Sequence, residues 1–288
     1  MNNVNQTAGN QPSSPTNLQF NEIHKNVFVD TNIVWQDVNG KQTIMLGNKV
    51  IDEYTFTLFR HIPFSWLYHL VNKKEFTFIS PNKWNDPFEN LFFNPQLKVG
   101  NNYVNGCLCF TYIRNVGEES LWKNYQTDSR EPLVKLDYNF INLLKQLSAM
   151  ATNEGYSVYL TLVNYTYNRK DIVKQYDSIG GKKGISYSSL EEYLTYMSIK
   201  RKAFANENEV RIFLVSNHCD QDKTAFNLSN FNVADCIKRV TLQPLSFMYE
   251  KPREDYYHDL QELYHQGMKD WIKNNFGSFQ QSRLYDLG

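Results

Sequence analysis

The run YTFTLFRHIPFSWLYHLVNKKEFTFIS, Tyr54 to Ser80, decides the fold class. Its first part, YTFTLFRHI, is rich in β-branched and aromatic residues, as an extended strand favours. Pro63 and Ser65 then suit a helix start, and Trp66, Leu67, Leu70 and Val71 recur at helical spacing. EFTFIS returns to period-two alternation, the mark of a strand whose faces differ. Strand, helix and strand therefore succeed one another with short connections.

The rest of the chain extends the pattern without a regular βαβ repeat. GCLCFTYI reads as a strand, and GEESLWKNYQ as a short helix with Leu121, Trp122 and Tyr125 on one side. EPLVKLD is a strand, and YNFINLLKQLSAMA a helix with Phe140, Leu143, Leu144, Leu147 and Met150 on one face. YSVYLTLVNYTY is a strand, the polar, lysine-rich segment 170–187 a loop, and SLEEYLTYMSIKRKAF a helix. EVRIFLV and IKRVTLQP are strands. PREDYYHDLQELYHQGMKDWIKNNF is an amphipathic helix with the stripe Tyr256, Leu260, Leu263, Tyr264, Met268 and Trp271. The expectation is α+β: a single domain over 51–288 with a mixed or largely antiparallel sheet and flanking helices. Before it, NIVWQDVNGKQTIML reads as two extended runs around Asn39-Gly40, a hairpin embellishment within 19–50. Residues 1–18 are Asn, Gln, Ser, Thr, Pro and Gly with few apolar side chains, a disordered tail by composition.

Lys+Arg and Asp+Glu are 30 each, so the formal net charge is zero. That balance argues against a strongly basic nucleic-acid surface. No apolar run approaches the ~20 residues that span a bilayer, and the N-terminus lacks a basic then apolar leader. A cytoplasmic chain without a membrane partner is expected. The four cysteines, Cys107, Cys109, Cys219 and Cys236, form no CxxC pair, so reduced thiols and no metal are expected. His258 and His265, seven apart on the last helix, suit a half-exposed surface pair better than a metal pair. No P-loop, GxGxxG, HExxH or GxSxG is present.

Two stretches place polar groups where chemistry could sit. In SPNKWNDPFEN, Asp86 can cap a helix, Pro87 fits the first helical position and Glu89 lies three residues after the cap, a capping box in outline. That account leaves Trp84 and Asn85 unexplained. In NENEVRIF, Glu207, Glu209 and Arg211 share one face if the run is extended. They form either a salt-bridge ladder or a site in which a fixed carboxylate faces developing positive charge. Arg60 and His61 end the strand YTFTLFRH, and Thr111 comes directly after CLCF.

FRHI, LVNKKEFTFISPNKWNDPFE, CLCFTY, LWKNY, KRKAFANENEVRIF and IKRVTLQP together resemble the bacterial family known as domain of unknown function 2971 (DUF2971). The likeness spans about residues 54 to 245. It departs from the family pattern at Thr111, usually Ser, at Leu121 before Trp122, and at Phe204, usually Trp. More remotely, the order Arg60, Thr111, Glu207-x-Glu209 is similar to the Arg–Ser–Glu order of ADP-ribosyltransferases. That similarity implies an ADP-ribosyltransferase-like fold, NAD as substrate and an unknown protein or nucleic-acid acceptor, in a toxin or phage-defence setting. It implies catalytic roles for Glu209, Glu207 and Thr111. It also implies cofactor contacts from Arg60, His61, Tyr112, Trp122, Asn85 and Trp84. The reading requires Arg60, Thr111 and Glu209 to line one cleft. Two alternatives stand beside it: a nucleic-acid-associated protein or nuclease in which Asp86, Glu89, Glu207 and Glu209 converge on a divalent metal, and a non-catalytic interaction module.

Overall fold

The computed structural model describes residues 27–29, 35–38, 41–46, 49–52, 57–112, 118–125, 131–220, 222–244 and 255–282. In chain order the first elements are β1 (Val27–Val29), β2 (Trp35–Val38), β3 (Lys41–Leu46), β4 (Lys49–Asp52), β5 (Thr57–Pro63), α1 (Phe64–Lys73), β6 (Phe76–Ile79) and β7 (Tyr103–Thr111). Next come α2 (Glu118–Tyr125), β8 (Leu133–Asn139), α3 (Phe140–Asn153), β9 (Ser157–Leu162), β10 (Asn164–Tyr167), α4 (Arg169–Ser178), α5 (Leu190–Tyr196) and β11 (Ile199–Arg201). The last are β12 (Glu209–Ser216), β13 (Ala225–Leu228), α6 (Val233–Cys236), β14 (Ile237–Leu242), α7 (Asp255–Phe276) and β15 (Gln280–Gln281).

One large sheet organises the molecule, in the order β1–β9–β12–β7–β5–β8–β14–β15, with β6 paired to β7 and β13 to β6. Its pairings are antiparallel except for β14 with β15. The fold class is α+β with a mostly antiparallel sheet and flanking helices. The strands either side of Asn39-Gly40, β2 and β3, pair antiparallel, and β4 completes a small three-stranded sheet. Val27–Val29, from the same N-terminal stretch, pairs with β9 in the large sheet. The expected tail 1–18 lies outside the described residues.

The two faces of the sheet carry different cores. One face packs Leu58, Ile62, Phe110, Leu136, Tyr138, Val210 and Ile212 against α1, α3 and α7. The spacing of Phe140, Leu143, Leu144, Leu147 and Met150 gives α3 its buried stripe, and Asn139 caps it by accepting the backbone N–H of Asn142 at 3.2 Å. The other face packs Cys107, Phe213 and Val215 against α4 and α5. β12 is buried along its whole length, so both faces of that strand are interior. β7 passes β6 and β13 closely at Gly106, where an added Cβ would stand 2.9 Å from Phe78 Cβ.

Three local expectations change. Segment 170–187 contains the helix α4, because Asn168 and Asp171 form a capping box and Ile172 is buried. SLEEYLTYMSIKRKAF is helical only through Tyr196; Ile199–Arg201 pairs in parallel with β10 instead. His265 is buried at 4% exposure, not half-exposed, so the C-terminal histidines do not form a surface pair.

Candidate functional site

The site grows from β12. Thr111 on β7 is the registered partner of Glu209 on β12 and of Phe59 on β5. Directly opposed residues of antiparallel strands point to the same side. Phe59, Thr111 and Glu209 therefore form a row across three neighbouring strands, and His61, two residues along β5, joins their face.

Arg60 does not. It alternates with Phe59, points to the opposite face and lies over the Phe110 ring, 5.9 Å from its centroid. The expected cleft containing Arg60, Thr111 and Glu209 is thus absent: strand alternation separates the arginine from the glutamate. Tyr112, beyond the end of β7, packs against the core cluster on the Arg60 side as well. His61 takes the place on the Glu209 side. It is 4% exposed, meets the Trp122 ring edge-on at 4.5 Å and stacks on Tyr125 at 5.7 Å. Both ring nitrogens of His61 and the Trp122 indole N–H lack hydrogen-bond partners. Burial, helped by Lys135, holds the imidazole down at about 3, so it is neutral.

Beside this row lies a buried charge cluster. Arg211 Nε donates to Glu209 Oε1 at 2.8 Å, one rung of the expected ladder; Glu207 lies before the strand and pairs with Lys200 instead. Lys200 Nζ donates to Glu207 Oε2 at 2.6 Å and Glu209 Oε2 at 3.0 Å, and pairs with Glu89 Oε1 at 3.0 Å. Arg211 also pairs with Glu89 and donates to the Met197 carbonyl, and its guanidinium sits 4.3 Å above the Trp84 ring. Arg211 is fully buried and Glu209 is 2% exposed. Three carboxylates face two cations, leaving one excess negative charge. The backbone N–H of Glu209 donates to Tyr165 Oη at 2.9 Å.

The two glutamates of the E-x-E run differ. Glu209 opens β12, whereas Glu207 ends the 3₁₀ segment Lys202–Glu207, and Asn208 between them is left-handed at φ 43°. Burial raises the Glu209 carboxyl, but Arg211 and Lys200 outweigh it and bring it to about 2. Burial raises the Glu207 carboxyl too, and there Lys200 only partly offsets it, with Glu209 and Glu89 pushing the same way as burial. Environments that pull neighbouring carboxyls apart are a mark of acid–base sites. Burial, with Glu209 and Glu207 adding to it, also raises the Tyr125 hydroxyl.

The SPNKWNDPFEN stretch serves this cluster. Asp86 Oδ1 accepts the Phe88 N–H at 2.9 Å, as a cap does, but the chain then makes a turn and a short 3₁₀ helix at Asn90–Phe92. Glu89 does not reach back to Asp86; it enters the charge cluster. Asp86 Oδ2 holds Arg201, at 2.9 Å from Nη2. Trp84 lies under Arg211, while Asn85 is exposed. The four carboxylates of the nuclease alternative do not meet at one point. Glu89, Glu207 and Glu209 surround an ammonium, and Asp86 turns to a guanidinium. Among the described residues no group of His, Cys, Asp or Glu is arranged to hold a metal ion.

Lys200, Glu89, Tyr125 and Tyr165 were not among the residues singled out for catalysis or cofactor binding. Lys200 had a signal, being the lysine that opens the quoted run KRKAFANENEVRIF. Glu89 had its cap position and its place among the four carboxylates of the nuclease alternative, and the two tyrosines had no such signal. No family model, curated protein or solved structure matches this chain. Among the described residues no helix is long and apolar enough to cross a membrane.

Proposed function

We propose that the chain is a NAD-consuming enzyme whose site departs from the Arg–Ser–Glu pattern: Arg60 lies on the opposite face of the sheet, so the arginine-dependent transferase reading fails, and His61 stands beside Thr111 and Glu209 in its place. One observation carries this reading: β5, β7 and β12 are neighbours, and their register sets His61, Thr111 and Glu209 on one face. The split between Glu207 and Glu209 supports it; of the motif order only the hydroxyl and the carboxylates meet.

In the proposed reaction the bond between ribose C1′ and the nicotinamide nitrogen breaks, and the electron pair leaves with neutral nicotinamide. The sugar becomes oxocarbenium-like, and the excess negative charge held around Glu209 stabilises it. An acceptor nucleophile attacks C1′ and gives its proton to Glu207, whose raised affinity for protons suits a base, whereas attacking water can release its proton to solvent. Neutral His61, with Trp122 and Tyr125, forms an aromatic wall for the nicotinamide ring. Glu209 is already held by Arg211 and Lys200, so it needs no reorganisation as charge develops.

The test is nicotinamide release from NAD by the purified full chain, with thermal melting on the same samples. Glu209→Gln and His61→Asn should each lower release roughly 10²-fold or more per folded molecule. Absence of release from the wild-type chain, with and without a cell extract as acceptor source, overturns the reading. So does release that survives Glu209→Gln in folded protein. The charge cluster is then a structural ion network.

A further inference from the structure

The opposite face of the sheet holds a cavity of about 310 Å³, lined by α1, β5, β6, β8 and β13. This is the lower end of the range of small-molecule sites, roughly 300–1,000 Å³. Arg60 lines it, and so do Tyr138, Phe76, Trp66, Lys73 and His69. Phe76 and Tyr138 are almost fully buried, so the inner wall is aromatic, while Trp66, 44% exposed, stands at the mouth.

One polar group of the cavity is buried without a partner, and a second has no acceptor within the protein. The Tyr138 hydroxyl is buried and has no hydrogen-bond partner. Among the described residues Arg60 makes neither an ion pair nor a hydrogen bond; its contact is with the Phe110 ring. The orphaned hydroxyl loses free energy unless something accepts from it, and the part-buried guanidinium beside it has donors to offer. Lys73 adds a second cation at the rim. Glu75, also in the lining, is the one carboxylate there and forms no ion pair with Arg60 or Lys73.

We propose that this cavity is a binding site for a small organic anion, a carboxylate or phosphate on a flat apolar body. The anionic group accepts from the Arg60 guanidinium and the Tyr138 hydroxyl, and the apolar body lies along Phe76 towards Trp66. Donor pairs with a charged partner are the stronger class of hydrogen bond, and a guanidinium matches the two oxygens of such a group. The site lies across the sheet from Glu209 and is independent of the NAD reading.

Calorimetric titration of the full chain with 4-phenylbutyrate, and with the neutral 4-phenylbutanol of the same body, tests it. Phenyl phosphate extends the test to the other anionic group. The acids should bind at least tenfold more tightly than the alcohol. Arg60→Met should remove that preference, Tyr138→Phe should weaken the acids several-fold, and Lys73→Ala, at the exposed rim, should weaken them less. Lys182→Met, an exposed lysine outside the cavity, controls for net charge and should change nothing. Equal affinity for acid and alcohol overturns the proposal, as does no binding of any probe. If Arg60→Met does not fold, Tyr138→Phe and Lys73→Ala decide the matter, and unchanged acid binding in both overturns it.

Discussion

Lys200 Nζ lies 2.6 Å from Glu207 Oε2 with both side chains about nine-tenths buried, and the remaining charges of the cluster are arranged around that contact. A single ammonium thus contacts carboxylates contributed by the 3₁₀ segment before β12, by β12 itself and by the turn after Asn85.

Removing Lys200 should therefore be severe. In Lys200→Met, three carboxylates share one guanidinium. The expected loss is several kcal/mol, in the range of about 3–5 for breaking a buried pair. The carboxyls of the variant take up protons more readily when folded, so their stabilising contribution is present at low pH and lost as pH rises. Urea unfolding at pH 5 and pH 7 should show a smaller deficit at pH 5. A variant as stable as wild type at both values would show that the cluster is not energetically coupled.

Glu207 should set a pH limb. Burial raises its carboxyl above the ordinary value, so it loses its proton later than a free glutamate and becomes a base only above that raised value. Transfer to an acceptor should rise with pH through it. Glu207→Gln should flatten this limb while leaving nicotinamide release by hydrolysis less affected. A limb that persists in Glu207→Gln assigns the titration to another group.

His61 should make stability fall on acidification. Its folded value of about 3 lies below the ordinary ~6.5, so its contribution is present above ~6.5 and is lost as pH falls towards 3. Between about pH 6.5 and pH 5 the loss should be about 2 kcal/mol. His265, held down to about 4 by burial and by Lys269, acts in the same direction. The measure is therefore the difference in slope between wild type and His61→Phe. Parallel slopes would mean that His61 is not buried in its neutral form.

Asp86 has two separable jobs. Asp86→Ala removes the oxygen that accepts the Phe88 N–H and should cost on the order of 1 kcal/mol, the usual size of a cap loss. Asp86→Asn keeps that acceptor and loses only the charge facing Arg201, so it should cost less. Melting of the two variants side by side checks the order; a larger loss in Asp86→Asn would place the main role in the ion pair.

Gly106→Ala should be destabilising by roughly 1–3 kcal/mol, the cost of overpacking. The new Cβ meets Phe78 Cβ at 2.9 Å and Phe226 Cδ2 at 3.2 Å. The Phe78 atom is fixed to its backbone and cannot swing aside. Chemical unfolding that shows equal or greater stability would mean that β6 can shift away from β7.

The sequence by itself determined the kinds of element and much of their placing. Period-two alternation in EFTFIS, the apolar spacing of Phe140 to Met150 and the Asn-Gly turn are local signals, and each is met by the element found there. The α+β class came from their irregular alternation. Where the local signal was a polar cap, as at Asn168, the reading of a loop missed a helix, because Ile172 is fixed by burial that only the fold provides. The site was legible as residue types: Glu207, Glu209, Arg211 and Thr111 stood out as polar groups in apolar strands. The partners that give them meaning were not. That Arg60 and Glu209 face opposite ways depends on the register of β5 on β7 and of β7 on β12. A shift of one residue in either pairing would reverse it. That Lys200 sits among three carboxylates depends on the turn at Asn208 and on a segment more than a hundred residues earlier. Such contacts carry no local signature, since the free energy that selects them comes from pairing charges taken out of water together, and only the folded chain brings those charges within reach.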